Sequence, residues 1–551
     1  MPHRPLLTTA ILACLASVGA GLLTPARAQD GGTSLPDIGS SAAQIITPAE
    51  QEQYGLMTFR ELRKEGLVLE DPLLEDWLQN IGERLGAHSN KPTQKFHFFI
   101  VKSRDINAFA TLGGYVAVNA GLIIATRSED ELAGVMSHEI AHVTQNHVLR
   151  AVEKQSKAQV PIVLAMLAAI VLSSHSNSTS AGNAGEAAIA TGTGLMAQQA
   201  IDFTRENETE ADHLGILTLA RAGYDPVAMA TFFQRLQAAY RSNEGQGKYK
   251  VPDFLIDHPV TTTRISDAFD RARQIKQREA ATPAATALPP PGNLLLPADL
   301  TLRATALATP SLQRGMDYPW ARERLRVLSA ESPSAAIGEY EKIRAADPAA
   351  FGDAQRYGLD LALIEHGDAG TALSDLQRLA QRHPDIAWLD LAIASARFHA
   401  GQQAAALADY DALLARWPGN RAVILSYAGT LGRIGTADAG RRAQAILRPL
   451  ADGGTYDPEF QQTFARACEI AGDNARASEA YAVAAFLNGR AEDALNQLEG
   501  LKRRTDLDYY ERARVEALIE AFKPIVLEMR KQGIRPGQPD RSQWRLTLAP
   551  N

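Results

Sequence analysis

His138-Glu139-Ile140-Ala141-His142 places two histidines four residues apart with a glutamate between them. On a helix, residues i and i+4 lie one above the other on the same face. Both imidazoles can then reach a single zinc ion, and the glutamate can take a proton from water held beside it. The flanks predict that helix. Ser128-Glu129-Asp130-Glu131 reads as a capping box, and Leu132, Val135, Met136, Ile140 and Val143 form an apolar stripe at helical spacing.

A catalytic zinc site takes three protein ligands and keeps one position open. A metzincin continuation would need glycine at 145 and histidine at 148, where the chain has Gln145 and Val148. His147 is out of register for that pattern and reads as a surface histidine. Arg205-Glu206-Asn207-Glu208-Thr209-Glu210-Ala211-Asp212 offers a better third ligand, because it sets Glu208 and Asp212 four apart on one helical face. Glu208 suits a metal position. Asp212 suits the acceptor for the outward N–H of a ligand histidine, a contact that orients the ring and raises its basicity. Glu206 and Glu210 read as a solvated acidic face.

The rest of the chain sets this site in a larger frame. At 551 residues it is too long for one core, so two or three domains are expected. Its formal net charge of -7 argues against general nucleic-acid binding and against a polybasic membrane patch. His3 and Arg4 precede an apolar run from Leu6 to Leu23, and Ala26-Arg27-Ala28 is an A-x-A cleavage pattern. The expectation is a cleaved signal peptide over 1–28 and an exported protein. Ile11-Leu12-Ala13-Cys14 is a weaker lipobox that would lipidate Cys14, and a retained anchor is the third reading. Only Cys468 would remain after cleavage, so no internal disulfide is possible; it reads as a small packed side chain.

Residues 29–45 are Gly-, Ser- and Pro-rich and read as a flexible N-terminus. Two helical patterns follow between Glu50 and Gly86, divided at Asp71-Pro72, and then a strand at Phe96–Val101. Gly113-Gly114-Tyr115-Val116-Ala117-Val118 reads as a hairpin or an edge strand on which an extended peptide could lie. The run from 160 to 172 is apolar but too short to span a bilayer, and a Ser/Gly/Ala stretch follows to about 194. The pair reads as a buried helix with a loop, or as a lid or membrane-surface element giving peripheral membrane contact. Pro289-Pro290-Pro291 marks a semi-rigid linker over 281–298. Beyond it strand signals vanish. Gly367, Gly401 and Gly435 are each 34 residues apart, and Pro384 with Pro418 and Ala372 with Ala406 share that interval. This is the tetratricopeptide period, a stack of helix pairs with a concave face for extended or helical partners, here over 299–530 with a flexible tail at 531–551.

H-E-x-x-H followed by R-x-x-E-x-E-A-D resembles the HtpX-type zinc metallopeptidases, a gluzincin group. Asn107-Ala108-Phe109-Ala110 with Gly113-Gly114, and His258-Pro259 with Arg264-Ile265, extend the likeness. The resemblance implies an α+β zincin-like metalloprotease domain over 46–280, followed by an all-α tetratricopeptide-repeat superhelix. It implies one Zn2+ per chain, with His138, His142 and Glu208 as ligands and Glu139 as catalytic base. His258 then becomes a fourth ligand in a closed state or an oxyanion stabiliser in an open one. With a signal peptide before and repeats after, the resemblance implies a periplasmic zinc endopeptidase with chaperone-like activity in envelope quality control. Its partners would be misfolded or stalled outer-membrane β-barrel proteins and their assembly machinery, with no nucleic acid. The competing readings are a repeat-based chaperone or adaptor with minor proteolysis, and a scaffold with a dead zinc site.

Overall fold

A computed structural model describes residues 46–153, 205–243, 254–255, 258–281, 316–384, 386–451, 453 and 456–531. The expected signal peptide and lipobox, the flexible N-terminus, the 160–194 element, most of the Pro-rich linker and the tail beyond 531 lie outside the described residues. In order come α1 (Pro48–Lys64), α2 (Pro72–Ala87), β1 (His97–Val101), β2 (Ala108–Ala110), β3 (Tyr115–Asn119), α3 (Ala120–Ala125), α4 (Glu129–Thr144), α5 (His147–Glu153), α6 (Arg205–Arg221), α7 (Val227–Asn243) and α8 (Thr262–Ala281).

Local sequence explains the helix starts. Thr47 and Glu50 form a reciprocal capping box ahead of Pro48, and the Asp71 carboxylate accepts from Leu74 N ahead of Pro72. Ser128 caps α4 by accepting from Glu131 N at 3.3 Å. The other half of the expected box differs, because the Glu131 carboxylate accepts from Arg127 N and pairs with Arg235.

The three strands form one sheet in the order β1-β3-β2, with β1 parallel and β2 antiparallel to β3. Tyr115–Asn119 therefore forms a hairpin with β2, one of the two expected readings, but it is the central strand and not an edge. All five of its residues are buried. A continuous apolar run marks a strand covered on both faces, whereas an edge strand facing water on one side would alternate. The two faces separate by the period of two. Phe98, Ile100, Val116 and Val118 join the core that holds α2 and α4, while Phe99, Val101, Tyr115 and Ala117 pack with Leu62 of α1. The β2 segment Ala108–Ala110 lies on the outer side of the sheet.

From Tyr318 onward every described element is helical. The helices are α9 (Tyr318–Leu328), α10 (Pro333–Ala346), α11 (Asp353–His366), α12 (Ala369–Arg382), α13 (Ala387–His399), α14 (Gln403–Arg416), α15 (Arg421–Ile434), α16 (Ala437–Leu447), α17 (Pro458–Ala471), α18 (Asn474–Leu487), α19 (Ala491–Lys502) and α20 (Tyr509–Lys531). The starts of α11, α13 and α15 are 34 residues apart, as are those of α12, α14 and α16. Gly367 and Gly435 end α11 and α15 in the left-handed conformation, at φ 106° and 74°. Among the described residues, no helix is long and apolar enough to cross a membrane. Cys468 is buried, with the Gln444 amide 3.2 Å from its sulfur.

The helical half packs on the first half. One apolar cluster runs from Trp77 of α2 through Tyr318 and Trp320 of α9 to Trp388 of α13. Tyr318 Oη donates to Thr126 O at 2.6 Å, and the Arg60 guanidinium lies 4.6 Å from the centre of the Phe486 ring. Arg421 of α15 reaches Glu75 of α2 at 2.9 Å.

Candidate metal centre

Helix α4 carries His138, Glu139 and His142, and α6 crosses it with Glu208 and Asp212. The crossing is close because Gly215 faces α4: a Cβ there would stand 3.1 Å from His138 N. His258 precedes α8, held by His258 N donating to Phe254 O at 2.9 Å and by its ring 5.0 Å from that of Phe254. All four of His138, His142, Glu208 and His258 are buried, and one donor atom from each falls within 4.8 Å of the others.

The individual spacings are tighter. His138 Nε2 is 3.0 Å from His142 Nε2, 3.4 Å from His258 Nδ1 and 3.5 Å from Glu208 Oε2. Glu208 Oε1 is 3.4 Å from His142 Nε2 and 3.1 Å from His258 Nδ1. Four ligands at zinc-bonding distance on a tetrahedron stand about 3.3–3.4 Å apart. The donor set therefore fits Zn2+ in both chemistry and spacing. Glu139 is buried beside it, its Oε1 3.6 Å from His258 Nε2.

Electrostatics points the same way. Burial opposes charge on His138, but Asp212 and Glu208 overcome it and push the imidazole up to about 10. His258 is likewise raised against its burial by Glu208 and Glu139. Burial and then His138 hold His142 well below its usual range. Burial would raise Glu208, yet His258 and His138 hold it well below the ordinary carboxylate range. The buried acids thus favour the charged forms of His138 and His258, and a dication held there would offset the same negative charge.

Asp212 faces the outward side of His138, with Oδ1 3.0 Å from Nδ1. It is itself held by Arg264 of α8, which donates from Nε to Oδ2 at 2.7 Å and from Nη2 to Oδ1 at 2.9 Å. Arg264 Nη1 also lies 2.8 Å from Glu208 Oε2 and donates to Pro259 O. One guanidinium thus fixes Glu208, Asp212 and the strap carrying His258. In the sequence Arg264 was legible only as part of a likeness.

His147 departs from its reading as a surface residue. It is fully buried, with Nδ1 2.9 Å from His142 Nδ1 and Nε2 3.2 Å from Glu210 Oε2. The reason is local. Asn146 adopts φ 54°, so α4 ends and α5 restarts at His147 in a new direction. A helical wheel continued past Thr144 cannot show this; the Gln145-Asn146 pair was the available cue. Glu210, read as solvated, pairs with both His147 and Arg150.

Residues 72–272 match the model of peptidase family M48. Over 274 residues the chain is 42% identical to a putative beta-barrel assembly-enhancing protease of Vibrio cholerae, covering 50% of this chain and 53% of that protein. It is 37% identical over 278 residues to the beta-barrel assembly-enhancing protease of Escherichia coli K12, covering 50% and 54%. A more distant relative is the mitochondrial metalloendopeptidase OMA1 of Schizosaccharomyces pombe, 29% identical over 189 residues, covering 34% and 50%. The chain spans about half the length of the first two relatives. The matched segment 72–272 contains all four donor residues, and M48 is a zinc-dependent metallopeptidase family.

Proposed function

We propose that the chain is a zinc endopeptidase of the cell envelope that cleaves misfolded or stalled outer-membrane β-barrel proteins and aids their assembly. The observation that carries the reading is the convergence of His138, His142, Glu208 and His258 donor atoms beside the Glu139 carboxylate. His138, His142 and Glu208 would hold zinc, with Asp212 orienting His138. Zinc bound there would supply a Lewis acid for the scissile carbonyl and a lowered pKa for water. Glu139 takes the proton of the attacking water and delivers it to the leaving amine nitrogen. His258 would complete the donor set at rest and give way to substrate. An extended substrate segment adds to the outer edge of β2, by backbone hydrogen bonding.

The envelope location rests on the signal-peptide pattern and on the relatives' printed role in β-barrel assembly. The helices beyond Tyr318 are read as tetratricopeptide repeats on the 34-residue offset of their starts. They favour the second reading, a binding role for assembly machinery and unfolded barrels, alongside the first. One experiment separates the two. Full-length protein and its Glu139→Gln variant are incubated with an unfolded outer-membrane β-barrel protein. Cleavage falls by about 10²–10⁴-fold or more in the variant, with zinc content unchanged, while substrate binding persists. Cleavage at the parent rate rejects Glu139 as the base; loss of binding in the variant rejects an independent binding role.

A further inference from the structure

We propose that His147 is a positioning residue for the zinc ligand His142, linking its outer nitrogen to Glu210. The inference rests on His142 being a ligand. Its Nε2 faces the three other donor atoms, so the proton of the neutral ring sits on Nδ1. A ligand imidazole donates that second N–H to an acceptor, which fixes the tautomer and the ring angle. For His138 the facing group is a carboxylate, Asp212, at 3.0 Å. For His142 it is His147 Nδ1, at 2.9 Å. His147 accepts there, so its own proton sits on Nε2, which donates to Glu210 Oε2 at 3.2 Å. Arg150 Nη1 holds the same Glu210 oxygen at 3.2 Å. The two ligand histidines thus end on carboxylates by different routes, one directly and one through a second imidazole.

The arrangement is built by the chain break at Asn146. That turn returns His147 to the outer face of His142, and α6 supplies Glu210 two residues before Asp212, which Arg264 holds. Because Glu210 is 39% exposed while Asp212 is almost wholly buried, the direct carboxylate dominates and the relayed one is partly screened.

Zinc affinity of the full-length protein, measured by competition with a chromophoric chelator, tests the proposal. His147→Leu weakens zinc binding about 10–100-fold. His147→Asn, whose Oδ1 stands where Nδ1 accepts, recovers most of that loss. Glu210→Ala weakens zinc binding by a smaller but measurable factor, about 3–10-fold. The Co2+-substituted protein reports ring orientation independently, and its visible spectrum shifts in His147→Leu and returns towards the parent in His147→Asn. Affinity within about twofold of the parent for His147→Leu, or no recovery in His147→Asn, overturns the proposal. If His147→Leu does not fold, the surface variant Glu210→Ala decides: an unchanged affinity overturns it. A parent protein that binds no zinc at all removes the metal reading on which the proposal depends.

Discussion

Two arginine-centred clusters of acids among the described residues, around Arg264 and around Arg421, behave in opposite ways. At the metal centre Arg264 serves two carboxylates, Glu208 and Asp212, with imidazoles on their remaining sides. Both acids are held below their ordinary range despite burial. Where α2 meets the helical array, Arg421 faces four, with Glu75 at 2.9 Å, Asp76 at 3.7 Å, Asp457 at 2.7 Å and Glu459 at 3.3 Å. One cation cannot compensate four acids. Burial there pushes Glu75 up to about 7, Asp76 to about 6 and Glu459 to about 8. The ratio of cations to acids, rather than burial alone, sets the sign of the shift.

The sign carries over to stability. An acid lowered by folding adds stability above its unfolded value and loses it as pH falls. That is the behaviour of Glu208 and Asp212, so the metal centre weakens towards acid. An acid raised by folding adds stability below its unfolded value and loses it as pH rises through the folded one. Glu75, Asp76 and Glu459 do this, so docking of α2 on the array weakens from about pH 5 to pH 8.

Removing each arginine sharpens the contrast. Arg264→Met leaves two buried carboxylates without their shared cation. It destabilises the metal-free protein by about 3–5 kcal/mol, read from urea unfolding, and the loss does not shrink between pH 8 and pH 5.5. A cost under about 1 kcal/mol would mean the histidines alone balance the acids. Arg421→Met has the smaller effect, about 1–2 kcal/mol at pH 8, because its side chain is partly exposed and its partners can take up protons. At pH 5.5 the cost falls towards zero, since Glu75, Asp76 and Glu459 then carry protons. A cost that grows on acidification would break the comparison.

Much of the metal centre was legible because its chemistry is written at short range. H-E-x-x-H and E-x-x-x-D each set two side chains on one helical face by spacing alone, and the crossing of α4 by α6 then brings His138, His142 and Glu208 together. What escaped depends on tertiary placement. His147 needed the turn at Asn146, and the grip of Arg264 needed α8 to pack on α6. The hairpin of β2 and β3 is local and was legible, but the edge reading of β3 failed because β1 pairs on its other side. The Arg421 cluster joins residues far apart in the chain, and no local pattern announces it. The 34-residue offset was visible beforehand because glycine marks the left-handed helix ends.

The central claim is that three side chains from two helices hold one zinc ion beside Glu139. Anomalous diffraction at the zinc edge from crystals of the full-length protein tests it most directly. The account predicts one peak per chain, within about 2.0–2.2 Å of His138 Nε2, His142 Nε2 and a Glu208 oxygen. A peak elsewhere, or a zinc bound without Glu208, would contradict it.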